Sequence, residues 1–171
     1  MDKKNIDKRI IELIQQDENI SYSKISQIVG IPEKDIEEKI KNFSDTREKI
    51  LIVDDEMSTL MPLKRSLESE NYAVVEAYDG HEAIKKANEE IPDLIILDLM
   101  LPGMDGIEVC QHLKTDTQTE KIPIIMLTAK DNINDKVEGL QIGAHDYVTK
   151  PFVLKELKAR IKSVMLRSGN I

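Results

Sequence analysis

The spacing of apolar residues divides the chain into two parts that follow different periods. Over residues 5–43 apolar positions recur at three- and four-residue intervals, which is typical of amphipathic helices. The pattern predicts three short helices, with apolar stripes at Ile6, Ile10, Leu13 and Ile14, then Ile25, Ile28 and Val29, then Ile36, Ile40 and Phe43. Ser21 is placed to cap the second helix. Gly30 and Pro32 predict a tight turn, with Pro32 in the first turn of the third helix.

From residue 49 onwards, short apolar runs alternate with longer helical segments. The runs predict five strands, at residues 50–53, 73–75, 93–97, 123–127 and 145–148. The helical segments lie at residues 59–70, 80–90, 106–114, 133–142 and 154–166. Apolar runs without polar alternation are typical of strands buried on both faces. Five strand–helix units in series predict an α/β fold built on a doubly wound parallel sheet.

The polar segment at residues 44–48 is interpreted as a linker between an all-α domain, residues 1–43, and an α/β domain, residues 49–171. With 40% hydrophobic and 33% charged residues, the composition is that of a globular protein. The chain opens without an apolar leader and has no apolar stretch of membrane-spanning length, so a cytoplasmic protein without membrane contact is expected. The single cysteine, Cys110, cannot form an internal disulfide, which favours a reducing compartment.

Polar residues stand at the ends of four of the five predicted strands. Asp54 and Asp55 follow the first strand, Asp98 the third, Thr128 the fourth and Lys150 the fifth. These ends lie on one edge of a doubly wound sheet, so the side chains are expected to converge. Converging carboxylates repel one another, and Mg²⁺ with oxygen ligands relieves the repulsion. Asp98 could then attack phosphorus and form an acyl phosphate, while the cation, the ammonium and the hydroxyl stabilise the transferred oxygens.

Two other functions are compatible with parts of this pattern. Haloacid-dehalogenase-like phosphatases use the same residue types, but their two acids are separated by one residue at the end of the first strand. Here Asp54 and Asp55 are adjacent, and the candidate nucleophile follows the third strand. A flavodoxin-like cofactor binder would need a phosphate-binding loop after the first strand, where these two acids repel phosphate. Both alternatives are therefore disfavoured.

The second part of the chain resembles the receiver domains of two-component response regulators. The matching strings are residues 50–56, 98–106, 127–129 and 143–152. The resemblance implies a flavodoxin-like five-stranded sheet of order 2-1-3-4-5, and a phosphoacceptor, Asp98, that receives its phosphoryl group from a sensor histidine kinase or a phosphotransfer protein. Mg²⁺ would be held by Asp54, Asp55, Asp98 and the backbone carbonyl of Met100. Such a domain promotes its own phosphorylation and dephosphorylation and is not an enzyme in the usual sense.

The same resemblance assigns roles to residues at the ends of the last two strands. Thr128 corresponds to the hydroxyl that moves towards the phosphoryl group, and Lys150 to the family lysine, joined to Pro151 by a cis bond. Tyr147 corresponds to the switch aromatic that turns inward when Thr128 moves. The alternative for Tyr147 is a packing role only.

A group of charged residues resembles the dimer face of OmpR/PhoB-like receivers. The group consists of Lys136, Asp146, Glu156, Arg160 and Arg167. The resemblance implies a homodimer, at least when phosphorylated, through the fourth helix, fifth strand and fifth helix of the domain. His145 stands where an acid is often found, and the alternative is an ordinary solvated charged face.

The N-terminal helices resemble the helix-turn-helix of Lrp/AsnC-type regulators, over residues 6–15 and 20–31. This likeness favours transcription regulation through duplex DNA, and any output built into the chain is expected here because no further domain follows. The net charge of −8 and the acids Glu37 and Glu38 on the third helix oppose contact with phosphates, and no wing strands are expected. The candidate DNA or partner contacts are Lys34, Lys39 and Lys41. A protein-contact or dimerisation module, in an adaptor or phosphorelay receiver, stays open as the alternative.

Overall fold

The computed structural model of the chain describes residues 3–129 and 133–169. The chain forms two compact units, Met1–Thr46 and Arg47–Ile171. Their boundary falls within residues 44–48, the segment interpreted from sequence as a linker. No helix in the described ranges combines the length and apolar character needed to cross a membrane.

The first unit contains three helices, α1 (Lys3–Gln16), α2 (Tyr22–Val29) and α3 (Glu33–Ser44), and its described residues include no strand. Ser21 caps α2, since its hydroxyl oxygen accepts the Lys24 N–H at 3.2 Å. Gly30 ends that helix in the left-handed region at φ 76°, where a side chain would be strained. The core of the unit consists of Ile10, Leu13, Ile25, Val29 and Ile36.

Three details of the predicted helices are corrected by the structure. Ile28 is 45% exposed and Phe43 is 40% exposed, so neither belongs to the core. Both positions satisfy helical spacing, but only the face that meets the other two helices is covered. Pro32 precedes α3 as its N-cap instead of lying in its first turn.

The second unit confirms the predicted α/β fold. Its strands are β1 (Lys49–Val53), β2 (Ala73–Ala77), β3 (Leu94–Asp98), β4 (Ile124–Ala129) and β5 (Asp146–Lys150). Its helices are α4 (Met57–Ser69), α5 (Gly80–Glu90), α6 (Gly106–Thr115), α7 (Ile133–Ile142) and α8 (Leu154–Arg167). All strand pairs are parallel, in the order β2-β1-β3-β4-β5. Most predicted bounds differ from these by one or two residues, as expected of element ends.

Two apolar clusters cover the two faces of the sheet. Alternate residues of β1 point to opposite faces, so Leu51 and Val53 join one cluster while Ile50 and Ile52 join the other. Helices α5 and α6 cover the first cluster, which also buries Cys110, and α4 and α8 cover the second. Burial on both sides explains why the strands read as continuous apolar runs.

The strand register brings the predicted chemical groups to one edge of the sheet. Asp98 pairs with Leu127, Thr128 with Thr149, and Ala129 with Lys150. The carboxyl ends of β3, β4 and β5 therefore lie side by side. The Lys150–Pro151 peptide bond is cis, as the family resemblance implies.

Candidate functional site

Three carboxylates meet at the carboxyl edge of the sheet. One oxygen from each of Asp54, Asp55 and Asp98 lies within 4.8 Å of the others. Asp54 directly follows β1, and Asp98 is the last residue of the neighbouring strand β3. Asp54 is fully buried and Asp98 is only 3% exposed, while Asp55 is open to solvent. The strand-end prediction is therefore correct about the convergence of these side chains.

The two buried carboxylates are held in the same way. The Glu56 N–H donates to Asp54 Oδ1 at 2.9 Å, and the Met100 N–H donates to Asp98 Oδ1 at 3.0 Å. The ammonium group of Lys150 donates to both remaining oxygens, to Asp54 Oδ2 at 2.8 Å and to Asp98 Oδ2 at 2.9 Å. One lysine thus bridges two buried acids at the carboxyl ends of two different strands, β1 and β3.

Three carboxylates against one ammonium leave this edge of the sheet with a net negative charge. Burial raises the pKa of Asp98, although Lys150 and the Met100 N–H act in the opposite direction. Burial acts to lower the pKa of the Lys150 ammonium, but the carboxylates of Asp54 and Asp98 outweigh it and the pKa is raised. Clustered carboxylate oxygens with surplus negative charge fit a hard divalent cation such as Mg²⁺.

Thr128 and Tyr147 lie on strands next to the carboxylate cluster. Thr128 is fully buried, and its hydroxyl donates to the Ala129 carbonyl at 3.3 Å. Tyr147 is half-buried and packs against the apolar cluster beneath α5 and α6. This packing is compatible with both interpretations of Tyr147, as a switch or as a packing residue.

The charged residues of the candidate dimer face form an ion-pair cluster within the chain. Arg160 Nη1 binds the two carboxylate oxygens of Asp146 at 3.0 and 3.2 Å, and Arg160 also contacts Glu156 at 3.3 Å. Arg167 lines the same surface depression, together with His145. Lys136 belongs to α7, but its side chain lies outside the described part of the chain.

The candidate contacts on α3 differ in their surroundings. Lys34 and Lys41 are exposed. Lys39 forms a salt bridge with Asp7 of α1, so this lysine contributes to the packing of the unit. The exposed residues of α3 include four acids, Glu33, Asp35, Glu37 and Glu38. The solvent-facing side of the helix is thus predominantly acidic.

Two families match the chain. The family described as "Response regulator receiver domain" matches residues 50–162. The family described as "Winged helix-turn-helix DNA-binding" matches residues 3–46. Because the first match covers about two thirds of the 171 residues, the chain belongs to the response regulator receiver family. The second match confirms the helix-turn-helix class that the N-terminal pattern predicts.

Individual relatives support this assignment. Over 120 residues the chain is 55% identical to the alkaline phosphatase synthesis transcriptional regulatory protein PhoP of Bacillus subtilis (strain 168), covering 70% of this chain and 49% of PhoP. This likeness supports the predicted OmpR/PhoB type. A CheY-like receiver domain protein from Methanospirillum hungatei JF-1 is 30% identical with a TM-score of 0.69, covering 72% of this chain and 98% of that one. The Francisella response regulator 1452 receiver domain is 34% identical with a TM-score of 0.65, covering 71% and 99%. The chain spans about half the length of the curated relatives it matches.

Several features of the site lie beyond what the sequence pattern indicates. The bridge from Lys150 to both acids depends on contacts between residues that are distant in sequence. The two backbone N–H groups that bind the other oxygens come from residues two positions further along the chain, and the apolar pattern does not specify these local turns. Helix α6 also packs so closely on the acceptor strand that a Cβ at Gly106 would overlap the backbone of Asp98. The sequence signal for it is the glycine that ends the receiver-like string at residues 98–106.

Proposed function

We propose that this chain is a phosphorylation-dependent switch in which Asp98 accepts a phosphoryl group and the phosphorylated state controls the N-terminal helix-turn-helix. The donor is a sensor histidine kinase or a phosphotransfer protein. The observation that carries the proposal is the buried Asp98 carboxylate, held between Lys150 and the Met100 N–H beside Asp54 and Asp55. The proposed setting is the cytoplasm, which the lone buried thiol of Cys110 also favours.

The residues of the site suggest how the transfer proceeds. An Asp98 carboxylate oxygen attacks phosphorus, an O–P bond forms, and the P–N bond to the donor imidazole breaks. Since burial raises the pKa of Asp98, its carboxylate is a more basic nucleophile than an exposed aspartate. Lys150 already contacts Asp98 and can follow a phosphoryl oxygen as it arrives. The acyl phosphate makes this protein a phosphoacceptor, not a multiple-turnover enzyme, that promotes its own phosphorylation and dephosphorylation.

A divalent cation fits the remaining acidic groups. Asp54, Asp55, Asp98 and the carbonyl of Met100 would hold Mg²⁺, which supplies positive charge to the phosphoryl oxygens when bound. Asp54 would contribute to such a site through the oxygen that Lys150 now binds, or through a water molecule. Asp55, the exposed acid, is the more accessible direct ligand.

Thr128 and Tyr147 would transmit the change. The Thr128 hydroxyl exchanges its bond to the Ala129 carbonyl for one to a phosphoryl oxygen, and the space it leaves admits the ring of Tyr147. The altered face then includes α7, β5 and α8. The receiver has two conformations, and the phosphoryl group interacts more favourably with one of them. The difference between these two interaction free energies sets how far phosphorylation shifts the equilibrium.

The output of the switch has two candidates. The winged helix-turn-helix match and the likeness to a transcriptional regulatory protein favour duplex DNA, with Lys34 and Lys41 as contacts and an Lrp/AsnC-type arrangement of helices. The acidic surface of α3 favours the second candidate, an adaptor or phosphorelay receiver whose N-terminal helices bind a protein. We put DNA binding first because a family description and a relative both point to it.

An electrophoretic mobility shift separates the two outputs. We expect the full chain to enrich one sequence from a random duplex pool, and to shift it in only one of two states, with or without beryllofluoride and Mg²⁺. Lys34→Ala/Lys41→Ala should reduce the shift at both of two salt concentrations, because each lysine neutralises a phosphate. Lys158→Ala, which removes one positive charge from α8, is the control for loss of charge outside the N-terminal helices.

Absence of a shift at low salt, from protein whose receiver responds to beryllofluoride, would contradict DNA binding. The N-terminal helices would then contact protein, and the second candidate would replace the first. A shift that is identical in both states would show DNA binding without control by Asp98.

A homodimer through α7, β5 and α8 is the proposed consequence of phosphorylation. Beryllofluoride with Mg²⁺ should move the sedimentation profile from monomer to dimer. Arg160→Glu should weaken the dimer about tenfold or more, because it places like charges beside Asp146 and Glu156. Lys158→Glu on the same helix is the control and should leave the dimer intact. A wild-type monomer at high protein concentration with beryllofluoride would remove the dimer from the proposal.

A further inference from the structure

We infer that Gly106 is a positioning residue for the phosphoryl acceptor, and that its missing side chain sets where Asp98 stands relative to Lys150 and Asp54. This inference rests on the proposed function of Asp98. It concerns a residue that neither donates to, nor accepts from, the reacting groups.

Gly106 lies closer to the acceptor backbone than a side chain allows. It is the first residue of α6, and its N–H donates to the Leu99 carbonyl at 3.1 Å. A Cβ atom here would lie 2.5 Å from the Asp98 carbonyl oxygen and 2.6 Å from Leu99 Cα. Both atoms belong to the backbone, so no side-chain rotation relieves the overlap. Either the helix or the Asp98–Leu99 peptide must move.

The helix and the acceptor strand are both held from other directions. Helix α6 is anchored by the fully buried side chains of Val109, Cys110 and Leu113. The Leu99 N–H donates to the Leu127 carbonyl of β4 at 3.0 Å, which continues the strand pairing past Asp98. A side chain at position 106 therefore strains the contact between two anchored segments.

The strain acts on Asp98 but not on its partners. Asp54 follows β1 and Lys150 ends β5, and neither residue is among the nearest neighbours of Gly106. Displacement of the Asp98 backbone changes the Lys150–Asp98 and Asp54–Asp98 separations while leaving Lys150 and Asp54 in place. The reaction rate is sensitive to the position of the reacting groups, because a displacement of about 1 Å can lower the rate about 100-fold.

Gly80 offers a matched comparison within the same unit. It is the first residue of α5, as Gly106 is of α6, and both helices are capped by the preceding aspartate. A Cβ at Gly80 would lie 2.8 Å from Val109 Cγ2 and 3.0 Å from atoms of Met104. The overlap is a few tenths of an ångström less severe than at Gly106, and none of these atoms belongs to Asp98. Gly80 therefore controls for crowding at a helix start.

The test uses the full chain with phosphoramidate as the phosphoryl donor. Gly106→Ala, Gly80→Ala and Val109→Ala are compared for three quantities: free energy of unfolding, Mg²⁺ affinity by calorimetry, and initial rate of acyl-phosphate formation. Val109→Ala loosens α6 without pressing on Asp98. We expect Gly106→Ala to lower the rate per folded molecule by about 100-fold and to weaken Mg²⁺ binding. The other two variants should lose stability but keep both site properties within a few-fold of wild type.

A double variant keeps the test decisive if Gly106→Ala folds poorly. Leu99→Ala/Gly106→Ala removes Leu99 Cδ2, which would lie 2.9 Å from the new Cβ, but leaves both backbone overlaps. We expect it to fold better and to stay slow. A folded Gly106 variant that phosphorylates as fast as Val109→Ala would overturn the inference. Wild-type protein that forms no acyl phosphate would instead sink the proposed function.

Discussion

Substitution Asp98→Ala should abolish acyl-phosphate formation, with a rate loss of at least about 10⁴-fold, as expected when a nucleophile is removed. The neighbouring acids are poor substitutes. Both oxygens of Asp54 are engaged, by the Glu56 N–H and by Lys150, and its side chain is fully buried. Asp55 is exposed to solvent and is not held in a buried site as Asp98 is. Hydroxylamine-labile label on the full chain, located by peptide mass spectrometry, measures the effect.

The control for this experiment is an aspartate at the opposite edge of the sheet. Asp116 follows α6, and its carboxylate accepts the Gln118 N–H at 2.9 Å. Asp116→Ala should leave the rate of labelling unchanged. Persistent label at Asp54 or Asp55 in the Asp98→Ala protein would show that the acceptor has been assigned to the wrong residue.

The second large effect is expected from Lys150→Met, which leaves two buried carboxylates without their shared cation. Breaking a buried ion pair by removing one partner costs about 3 kcal/mol, so the free energy of unfolding should fall by about that amount at pH 7. The variant should still form acyl phosphate, because the nucleophile is intact, but it should not respond in a DNA-binding or dimerisation assay. Chemical denaturation followed by circular dichroism measures the stability.

Lys158→Met is a close control, because the Lys150 and Lys158 side chains are both 25% exposed. They differ in their partners, since Glu70 is 33% exposed while the partners of Lys150 are 0% and 4% exposed. A surface pair of this kind is worth less than about 1 kcal/mol. Equal stability losses in the two variants would mean that burial of Asp54 and Asp98 does not strengthen the Lys150 bridge.

The stability loss in Lys150→Met should depend on pH. Burial already raises the pKa of Asp98, and loss of the ammonium raises it further. An acid whose pKa is higher in the folded than in the unfolded state makes the fold less stable as pH rises through that interval. The stability loss of Lys150→Met should therefore reach its full size above the raised pKa of Asp98. It should become smaller as pH falls and Asp98 takes up a proton. In the wild-type protein Lys150 stays charged and stabilises the fold at neutral pH, because its pKa is raised from an already high value.

Much of the site follows from the order of residues along the chain. The apolar runs fix strands, the strands with intervening helices fix a doubly wound sheet, and such a sheet gathers the carboxyl ends of its strands. Asp54, Asp98, Thr128 and Lys150 are therefore expected at one edge of the sheet. That is why a pattern of five apolar runs was enough to predict the convergence of the acids.

Other features were not accessible in this way. Lys39 satisfies every sequence criterion for an exposed contact on α3, yet it pairs with Asp7 of α1. Phe43 has the spacing of a core residue, yet it is exposed. Both outcomes depend on how neighbouring helices pack, which a periodicity along one helix does not specify.

The sequence by itself thus determined the fold class, the edge of the sheet that carries the chemistry and the residues gathered there, because strand direction and helix period are local properties of the chain. Only the tertiary structure decided how those residues are bound. Lys150 reaches Asp54 across 96 positions of sequence and Asp98 across 52. Helix α6 packs so closely that a Cβ at Gly106 would overlap the Asp98 carbonyl oxygen. Such contacts depend on strand register, rotamer and close packing between elements, and these are fixed only when the whole core assembles.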